Sequence, residues 1–374
     1  MGRKRTNGEG SISYREGHSK PWLARTSRSN GRKAQSKFFS TKIEASAWLR
    51  DVNSSIDAGT RINPSKLTLS EWIGKWLITY VKPTVRLRTF EGYSDINRLH
   101  IDPIIGDIPL QALTPADLQN LLNKKAEAGL SRRTLVYILS TIRPALKQAM
   151  LDGLTTRNIA DAVKVPKGTV KPKPKHALTR EEIQAIQNAI EDSRFSIVFR
   201  TLAGTGTRIG ELLGLSWEDI DFINSKVHIK KAVTQSRTQG QVLGQPKTDS
   251  SLRSIPIAPS LVEALKAWKG QQASEKLAAG KQWKGEDAVF TMETGSRVRR
   301  EWISTQLKDV TELLNISCTP HILRHSYASL LIQSGVDPKT VQRLLGHSSP
   351  RTVMEIYAHS SDDLQRQAVK LLGF

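Results

Sequence analysis

The chain has 374 residues, of which 56 are Lys or Arg and 35 are Asp or Glu, so its formal net charge is +21. Hydrophobic residues make up 38% of the sequence, which supplies enough apolar material for folded cores and, at this length, favours two or three domains. No apolar run approaches the roughly 18 residues that a membrane span needs, and the first ten residues lack the apolar core of a signal peptide, so we expect a cytoplasmic protein without a membrane partner. The single cysteine, Cys318, excludes an intramolecular disulfide and a cysteine-cluster metal site.

The excess positive charge lies in the first half of the sequence. Residues 1–60 hold 12 basic and five acidic residues and residues 61–176 hold 19 and nine, whereas residues 177–374 hold 25 and 21. A strong basic excess favours a polyanionic partner, most commonly nucleic acid, although a basic surface with no such partner is the alternative. The distribution favours DNA binding in the first half and chemistry in the second.

Residues 1–60 are predicted to form a small β3α unit. Strand-like runs occupy residues 11–15, 22–26 and 35–40, and a helix begins at Thr41, with Glu44 completing a capping box. Basic residues surround the strands and would let the sheet enter a DNA groove, although for any single one a solvated face is the alternative: Arg25, Arg28, Arg32, Lys33 and Lys37.

Residues 61–164 are predicted to form an all-α bundle. Its helices begin at Thr68, Thr89, Thr114 and Ser131, and the apolar positions at helical spacing include Trp72, Trp76, Leu77, Tyr80, Tyr93, Ile96 and Leu99. Basic residues fall at the ends of these helices, where they suit contacts with phosphates: Lys82, Arg86, Arg88, Lys124, Lys125, Arg132 and Arg133.

A proline- and lysine-rich stretch, residues 165–176, is predicted to be an extended basic linker. Residues 177–374 then form a mainly α domain with a small antiparallel sheet, whose strands are expected at 226–232, 254–257 and 288–291. A helix of this domain begins after Thr179, with Glu182 in a capping box. The fold class predicted for the whole chain is therefore multidomain α+β.

The second half contains an unusual set of polar residues in conspicuous contexts: Arg208, Lys247, His321, Arg324, His347 and Tyr357. Two arginines, a lysine and two histidines can surround one phosphodiester and neutralise the charge that builds on its non-bridging oxygens in the transition state. A tyrosine phenol can be activated as a nucleophile inside such a cationic pocket, which then needs no metal. Each residue alone is a weak signal, because a lone tyrosine or histidine on an amphipathic helix usually belongs to a core.

Two other kinds of site are disfavoured. The glycine-rich stretch 204–210 lacks the GK[ST] ending of a phosphate-binding loop, so we reject nucleotide binding. His321 and His325 are four residues apart, as zinc ligands on a helix can be, but no HExxH glutamate lies between them and no third ligand is evident.

The contexts GTGTRIGELLGLSWEDID, TPHILRHSYASLLIQSGV and VQRLLGHSSPRTVMEIYAH resemble the active-site signature of the tyrosine recombinases, or phage integrase family. The six residues occur in the family's order, and Glu211 fills the acidic position that follows the first arginine. The N-terminal β3α unit resembles the arm-type DNA-binding domain of phage and conjugative-transposon integrases, and the bundle resembles their core-binding domain. The resemblance therefore implies an arm-type domain at 1–60, a core-binding domain at 61–164 and a catalytic domain at 177–374.

The resemblance also implies a mechanism. Tyr357 attacks the scissile phosphate and forms a 3′-phosphotyrosyl intermediate, and Lys247 protonates the leaving 5′ oxygen. The non-bridging oxygens are bound by Arg208, Arg324 and His347. His321 assists proton transfer and Glu211 orients Arg208. No metal, ATP or other cofactor is required.

The implied enzyme is a site-specific recombinase that integrates or excises a phage genome or mobile element in a bacterial host, at the nucleoid. Its implied partners are double-stranded DNA with core-type and arm-type sites, further copies of the chain in a DNA-bound tetramer, and a host DNA-bending protein with an excisionase. The C-terminal tail, residues 362–374, would dock on a neighbouring protomer or cap its own domain. The alternatives are a cellular Xer-like chromosome-dimer resolvase, a type IB topoisomerase and a non-enzymatic DNA-binding regulator.

Overall fold

The computed structural model describes residues 10–26, 35–57, 65–167, 177–246, 249–285, 287–346 and 353–354. The chain divides into two compact units, Met1–Pro172 and Lys173–Phe374. In the part of the chain that is described, no helix is long and apolar enough to cross a membrane.

The first unit begins with a three-stranded antiparallel sheet in the order β1 (Ser11–Tyr14), β2 (Trp22–Arg25) and β3 (Ser36–Phe39), followed by helix α1 (Lys42–Asp57). Thr41 caps α1, because its hydroxyl accepts a hydrogen bond from the backbone N–H of Glu44 (3.2 Å) and its own N–H donates to the Glu44 carboxylate (3.3 Å). The three predicted strands and the predicted helix start are confirmed to within one residue.

The two faces of this small sheet differ. Residues paired across neighbouring strands share a face, so Trp22 lies beside Phe39, and the Phe39 ring packs 5.6 Å from that of Trp48 on α1. The alternate residues of the strands face the other way, and there Arg25 pairs with Ser11 and Ser36. One face is thus covered by α1 and the other is open, polar and basic.

The rest of the first unit is helical, as predicted. Its helices are α2 (Leu69–Trp76), α3 (Leu87–Ile96), α4 (Asp102–Ile105), α5 (Pro115–Glu127) and α6 (Arg132–Leu151), with π-helical turns at Leu77–Val81 and Asn97–Ile101 and a 3₁₀ turn at Ile159–Ala162. The predicted caps Thr68, Thr114 and Ser131 are confirmed, since each side chain accepts a backbone hydrogen bond in the first turn of its helix. The buried residues include Trp72, whose indole N–H donates to the carbonyl of Ala145 (2.8 Å).

The predicted start of α3 at Thr89 is wrong. The helix begins at Leu87 after an extended Arg86, whose carbonyl accepts from the Thr89 backbone N–H (2.8 Å). Tertiary packing overrides the capping preference here, because Val85 and Phe90 both pack on the bundle core and draw the chain between them into the helix.

Two predicted core positions, Tyr80 and Leu99, lie at the surface instead, with 37% and 50% exposure. Each falls in a π-helical turn, which inserts one extra residue and so rotates the following side chains by about 100°. Val81 and Ile101 take the buried positions, with 5% and 0% exposure. A pattern search at constant helical period cannot detect this shift.

The second unit is mainly helical, as predicted, and carries two small antiparallel sheets. In chain order its elements are α7 (Arg180–Ala189), α8 (Phe195–Thr205), α9 (Ile209–Leu213), β4 (Ile220–Asp221), β5 (Lys226–Ile229), β6 (Ala232–Ser236), β7 (Gly240–Gly244), β8 (Arg253–Pro256), α10 (Pro259–Ala279), α11 (Arg300–Leu313), α12 (Pro320–Gln333) and α13 (Pro338–Leu345). Thr179 caps α7 together with Glu182, as predicted.

The predicted strands of this unit need two corrections. The run 226–232 is divided between β5, which lies between β4 and β8, and β6, which pairs with β7. The run 288–291 is not a strand, because only Ala288 and Thr291 make isolated bridges while Val289 and Phe290 are fully buried in the core. A short apolar run flanked by turns looks the same whether its residues enter a sheet or simply fill a core.

Candidate active site

The turn between α8 and α9 places Arg208. Helix α8 ends at Gly206, whose φ of +59° is the left-handed conformation that favours glycine. A Cβ at this position would lie 2.4 Å from the Tyr327 ring on α12, so the turn and α12 approach closely only because residue 206 is glycine. The chain then turns into α9 with Arg208 as its N-cap residue.

Glu211 joins two arginines. Its carboxylate accepts from the backbone N–H of Arg208 (3.0 Å), from Arg208 Nη1 (2.7 Å) and from Arg253 Nη2 (2.8 Å). The side chains of Glu211 and Arg253 are only 4% and 6% exposed, whereas that of Arg208 is 45% exposed. The network therefore has a buried base and presents Arg208 to solvent.

Helix α13 ends within the same network. The carbonyl oxygens of three consecutive residues each accept a hydrogen bond from a different arginine: Leu344 from Arg253 (2.7 Å), Leu345 from Arg324 (2.7 Å) and Gly346 from Arg208 (3.4 Å). Arg324 also donates to the carbonyl of Gly206 (2.8 Å). These bonds satisfy carbonyls that a helix end leaves without partners, and they suit its partial negative charge.

The charges in this cluster do not balance. Burial raises the pKa of Glu211, but the hydrogen bonds and charge of Arg253 and the hydrogen bonds from Arg208 outweigh that effect and hold the pKa below its usual value. Burial also lowers the pKa of Arg324 to about 9, and repulsion from Arg208 and Arg253 contributes to this shift while Glu211 opposes it. Among the described residues of the cluster, three guanidinium groups thus share one carboxylate, an arrangement that favours binding of an anion.

His321 lies on the helix that carries Arg324. Thr319 caps α12 by accepting from the backbone N–H of Ile322 (3.2 Å), which places His321 in the first turn and Arg324 one turn later. His321 is exposed and Arg324 is buried. No group of side chains suited to a metal ion occurs among the residues that are described.

The structure brings Arg208, Glu211 and Arg324 together at the end of α13, directly before His347 in the sequence. The predicted catalytic residues Lys247, His347 and Tyr357 lie outside the described residues, as does the C-terminal tail. Burial raises the pKa of the Cys318 thiol to about 12, so this thiol is a poor nucleophile at neutral pH.

Sequence reasoning missed Arg253. It stands in QPKTDSSLRSIPI, six residues after Lys247, but an arginine at the start of a strand is normally a solvated residue. Only the structure shows that its guanidinium is buried and fully engaged, with hydrogen bonds from Nε to Leu344, from Nη1 to Ser251 (2.9 Å) and from Nη2 to Glu211.

The predicted DNA-contacting residues of the sheet lie on different faces. Arg25 is exposed on the open face, whereas Lys37 lies beside Ala24 on the α1 face, with its Nζ atom 5.5 Å from the centre of the Phe39 ring. Arg28, Arg32 and Lys33 lie outside the described residues.

The predicted DNA-contacting residues of the bundle lie at helix ends. Arg132 and Arg133 open α6, Lys124 and Lys125 close α5, and Lys82, Arg86 and Arg88 flank the start of α3. All seven are exposed except Lys125, which is half-buried with its Nζ atom donating to the carbonyl of Leu99 (3.4 Å). Two arginines in a first helical turn without an acidic residue oppose the helix dipole, so a phosphate at that end would relieve the repulsion.

A buried arginine cluster at the end of a helix, on a mainly α unit preceded by a basic helical bundle, defines a protein of the tyrosine recombinase class. Residues 176–363 match the phage integrase family and residues 68–126 match the phage integrase N-terminal SAM-like domain. The chain belongs to the phage integrase family.

Relatives of nearly the same length support this assignment. An integrase of Streptomyces ambofaciens is 30% identical over 372 residues, which cover 96% of this chain and 94% of the relative. A protein of Caldanaerobacter subterraneus named tyrosine recombinase XerC-like is 29% identical over 92% of this chain and 93% of the relative. The fold is similar to that of the Tn1549 transposon integrase in complex with a circular intermediate DNA, with a TM-score of 0.70 at 21% identity over 82% of this chain and 100% of that one.

The resemblance expected from the sequence and the predicted α+β fold class are therefore both confirmed. The protein is a site-specific recombinase, an enzyme that cleaves and rejoins DNA.

Proposed function

We propose that residues 177–374 cleave DNA by attack of Tyr357 on the scissile phosphate, which is bound by Arg208 and Arg324. The observation that carries this proposal is the unbalanced cluster in which three arginines share the carboxylate of Glu211. The two carbonyl bonds of Arg324 use two of its five N–H groups, so donors remain for a phosphate oxygen. The exposed side of Arg208 offers further donors.

The proposed step is an in-line displacement at phosphorus. The Tyr357 oxygen forms a bond to phosphorus and loses its proton with the help of His321, while the bond to the 5′ oxygen breaks and Lys247 protonates that oxygen. His347 and the two arginines hold the non-bridging oxygens as their charge grows. A second DNA 5′-hydroxyl reverses the step and restores the phosphodiester, so neither ATP nor a metal is consumed and cleavage proceeds in EDTA.

The first experiment removes the nucleophilic oxygen. Tyr357→Phe should abolish formation of a covalent 3′-linked complex on a nicked suicide substrate while DNA affinity stays within about three-fold, because only the phenol oxygen is lost. Tyr80→Phe is the matched control, since Tyr80 is exposed in the first unit and donates only to Asp152 (2.8 Å). Covalent trapping by the Tyr357→Phe protein would refute the assignment.

For the first unit, we propose an arm-type DNA-binding domain at residues 1–60 and a core-binding domain at 61–164, joined to the catalytic domain by a basic linker at 165–176. The open face of the sheet, with exposed Arg25 between two serines, supports insertion into a groove. The similarity to the Streptomyces ambofaciens integrase covers 96% of the chain and so extends into residues 1–60, which supports integration over resolution of chromosome dimers.

Deletion of residues 1–60 tests this division. The shortened protein should still cleave a short core site but should lose the protection of separate arm sites in a footprint. Identical footprints for the two proteins would contradict an arm-binding role. The similarity to a XerC-like recombinase keeps resolution of chromosome dimers as a second candidate, and that function would need only a core site.

We further propose that the enzyme acts in the bacterial cytoplasm at the nucleoid, as a tetramer on DNA whose residues 362–374 dock on a neighbouring protomer. A host DNA-bending protein and an excisionase would set the direction of recombination. The mass of the complex on paired sites, measured by light scattering for the full chain and for a chain lacking residues 362–374, tests the tetramer and the docking together.

A further inference from the structure

We propose that Arg253 is a positioning residue for DNA cleavage, which holds Arg208 through Glu211 and fixes the end of helix α13 directly before His347. The inference rests on the proposed role of Arg208 in binding the scissile phosphate. It assigns to Arg253 no contact with DNA.

The burial of Arg253 separates its role from that of Arg208. The Arg253 side chain is 6% exposed, whereas the Arg208 side chain is 45% exposed. All three nitrogen atoms of the Arg253 guanidinium donate within the protein, to Leu344, Ser251 and Glu211. Arg253 therefore acts on the reaction through the groups it holds.

Glu211 needs both arginines to keep its orientation. One carboxylate oxygen accepts from Arg208 Nη1, and the other accepts from the Arg208 backbone and from Arg253 Nη2. Without Arg253 the carboxylate loses one of its three hydrogen bonds and its counter-charge on that side. A carboxylate that is 4% exposed would then turn toward the remaining guanidinium or toward water, and Arg208 would lose its fixed geometry.

Arg253 is itself held by the sheet. It is the first residue of β8 and pairs with Ile229 on β5, so its backbone is fixed independently of DNA. Gly346 packs against this strand start, because a Cβ on Gly346 would lie 2.9 Å from the Ser250 carbonyl and 3.0 Å from Arg253 Nη1. The left-handed turn at Gly346, with φ of +64°, thus leaves room for the arginine. The position of the turn before His347 is in this way tied to the sheet.

The test is a double-substitution cycle in the full-length protein. Arg253→Lys keeps the buried charge but cannot reach Glu211, Leu344 and Ser251 at once, since lysine lacks the planar fork of arginine. We expect the single-turnover cleavage rate on a suicide substrate to fall about ten-fold or more, with the DNA dissociation constant within about three-fold of the wild-type value. In a Glu211→Gln background, Arg253→Lys should lower the rate less than about three-fold, because residues that act as one unit are not additive.

The matched control is Arg194→Lys in the same unit. Arg194 is also a largely buried arginine that pairs with a glutamate, Glu275, and donates to a backbone carbonyl, that of Thr291 (2.8 Å). It belongs to no part of the proposed site. Its replacement should lower the melting temperature much as Arg253→Lys does, while the cleavage rate per folded molecule stays unchanged.

Arg253→Gln is measured alongside as a neutral variant, and rates are normalised to the folded fraction from thermal melts. Cleavage at the wild-type rate by either variant would overturn the proposal. So would an equal loss of rate in the wild-type and Glu211→Gln backgrounds, because Arg253 would then act independently of Glu211. An unaffected Arg208→Ala protein would instead refute the proposed function, which keeps the two failures distinguishable.

Discussion

The two units of this recombinase use positive charge in opposite ways. The first unit carries a large basic excess as exposed side chains at helix ends and on one sheet face. The second has nearly balanced charge, with 25 basic and 21 acidic residues in 177–374, yet it gathers three arginines around one glutamate at the end of α13.

The difference shows how burial decides what a cation does. Exposed lysines and arginines are screened by salt and each contributes little alone, but many together attract a polyanion and release its counterions. Buried arginines act in a medium that screens them weakly, so a few groups held rigidly can stabilise charge that develops on one phosphate. The first unit is suited to affinity and the second to catalysis.

The largest expected effect comes from the exposed arginine of the cluster. Arg208→Ala should lower the cleavage rate by about a thousand-fold or more while DNA affinity changes only a few-fold, since its contact is strongest in the transition state. Arg324→Ala should do the same. Suicide-substrate kinetics and filter binding measure the two quantities, and Arg200→Ala on α8, whose guanidinium donates to the carbonyl of Ser260, serves as control. A loss confined to affinity would break the division of roles between the units.

The reverse effect is expected in the first unit. Replacing Lys124, Lys125, Arg132 and Arg133 with alanine should weaken binding about ten- to a hundred-fold at moderate salt and reduce the slope of log K against log salt by about three. The cleavage rate at saturating protein should stay within a few-fold. Replacing Lys226, Lys266, Lys308 and Lys339, four exposed lysines of the second unit, provides the matched set. Equal losses from the two sets would show that net charge alone, and not its placement, determines affinity.

The smallest effect concerns stability at low pH. The pKa of Glu211 is lower in the folded protein than in the unfolded chain, so its stabilising contribution is present above the unfolded value and is lost as the pH falls through the folded value. On acidification from neutral pH, the melting temperature of the wild type should therefore fall more steeply than that of Glu211→Gln, by a few degrees. Parallel melting curves across the acid range would show that the Glu211 carboxylate does not couple protonation to folding.

Much of the local structure follows from the order of residues along the chain. Thr41, Thr68, Thr114 and Thr179 each begin a helix where a capping residue and an acidic partner three positions later predict one. The start of α3 and the exposure of Tyr80 and Leu99 could not be predicted in this way, because packing of Val85 and Phe90 and two π-helical turns decide them.

The same distinction holds for the site. The sequence by itself determined the family and the identity of the candidate residues, because the chemistry of a phosphodiester demands arginines and a nucleophile in recognisable local contexts. Only the tertiary structure decided that Arg253, separated by more than 40 residues from Glu211, completes the network around Arg208. Strand pairing and helix packing bring distant residues together, and burial then changes the pKa values and hydrogen-bonding needs of residues whose types alone reveal neither.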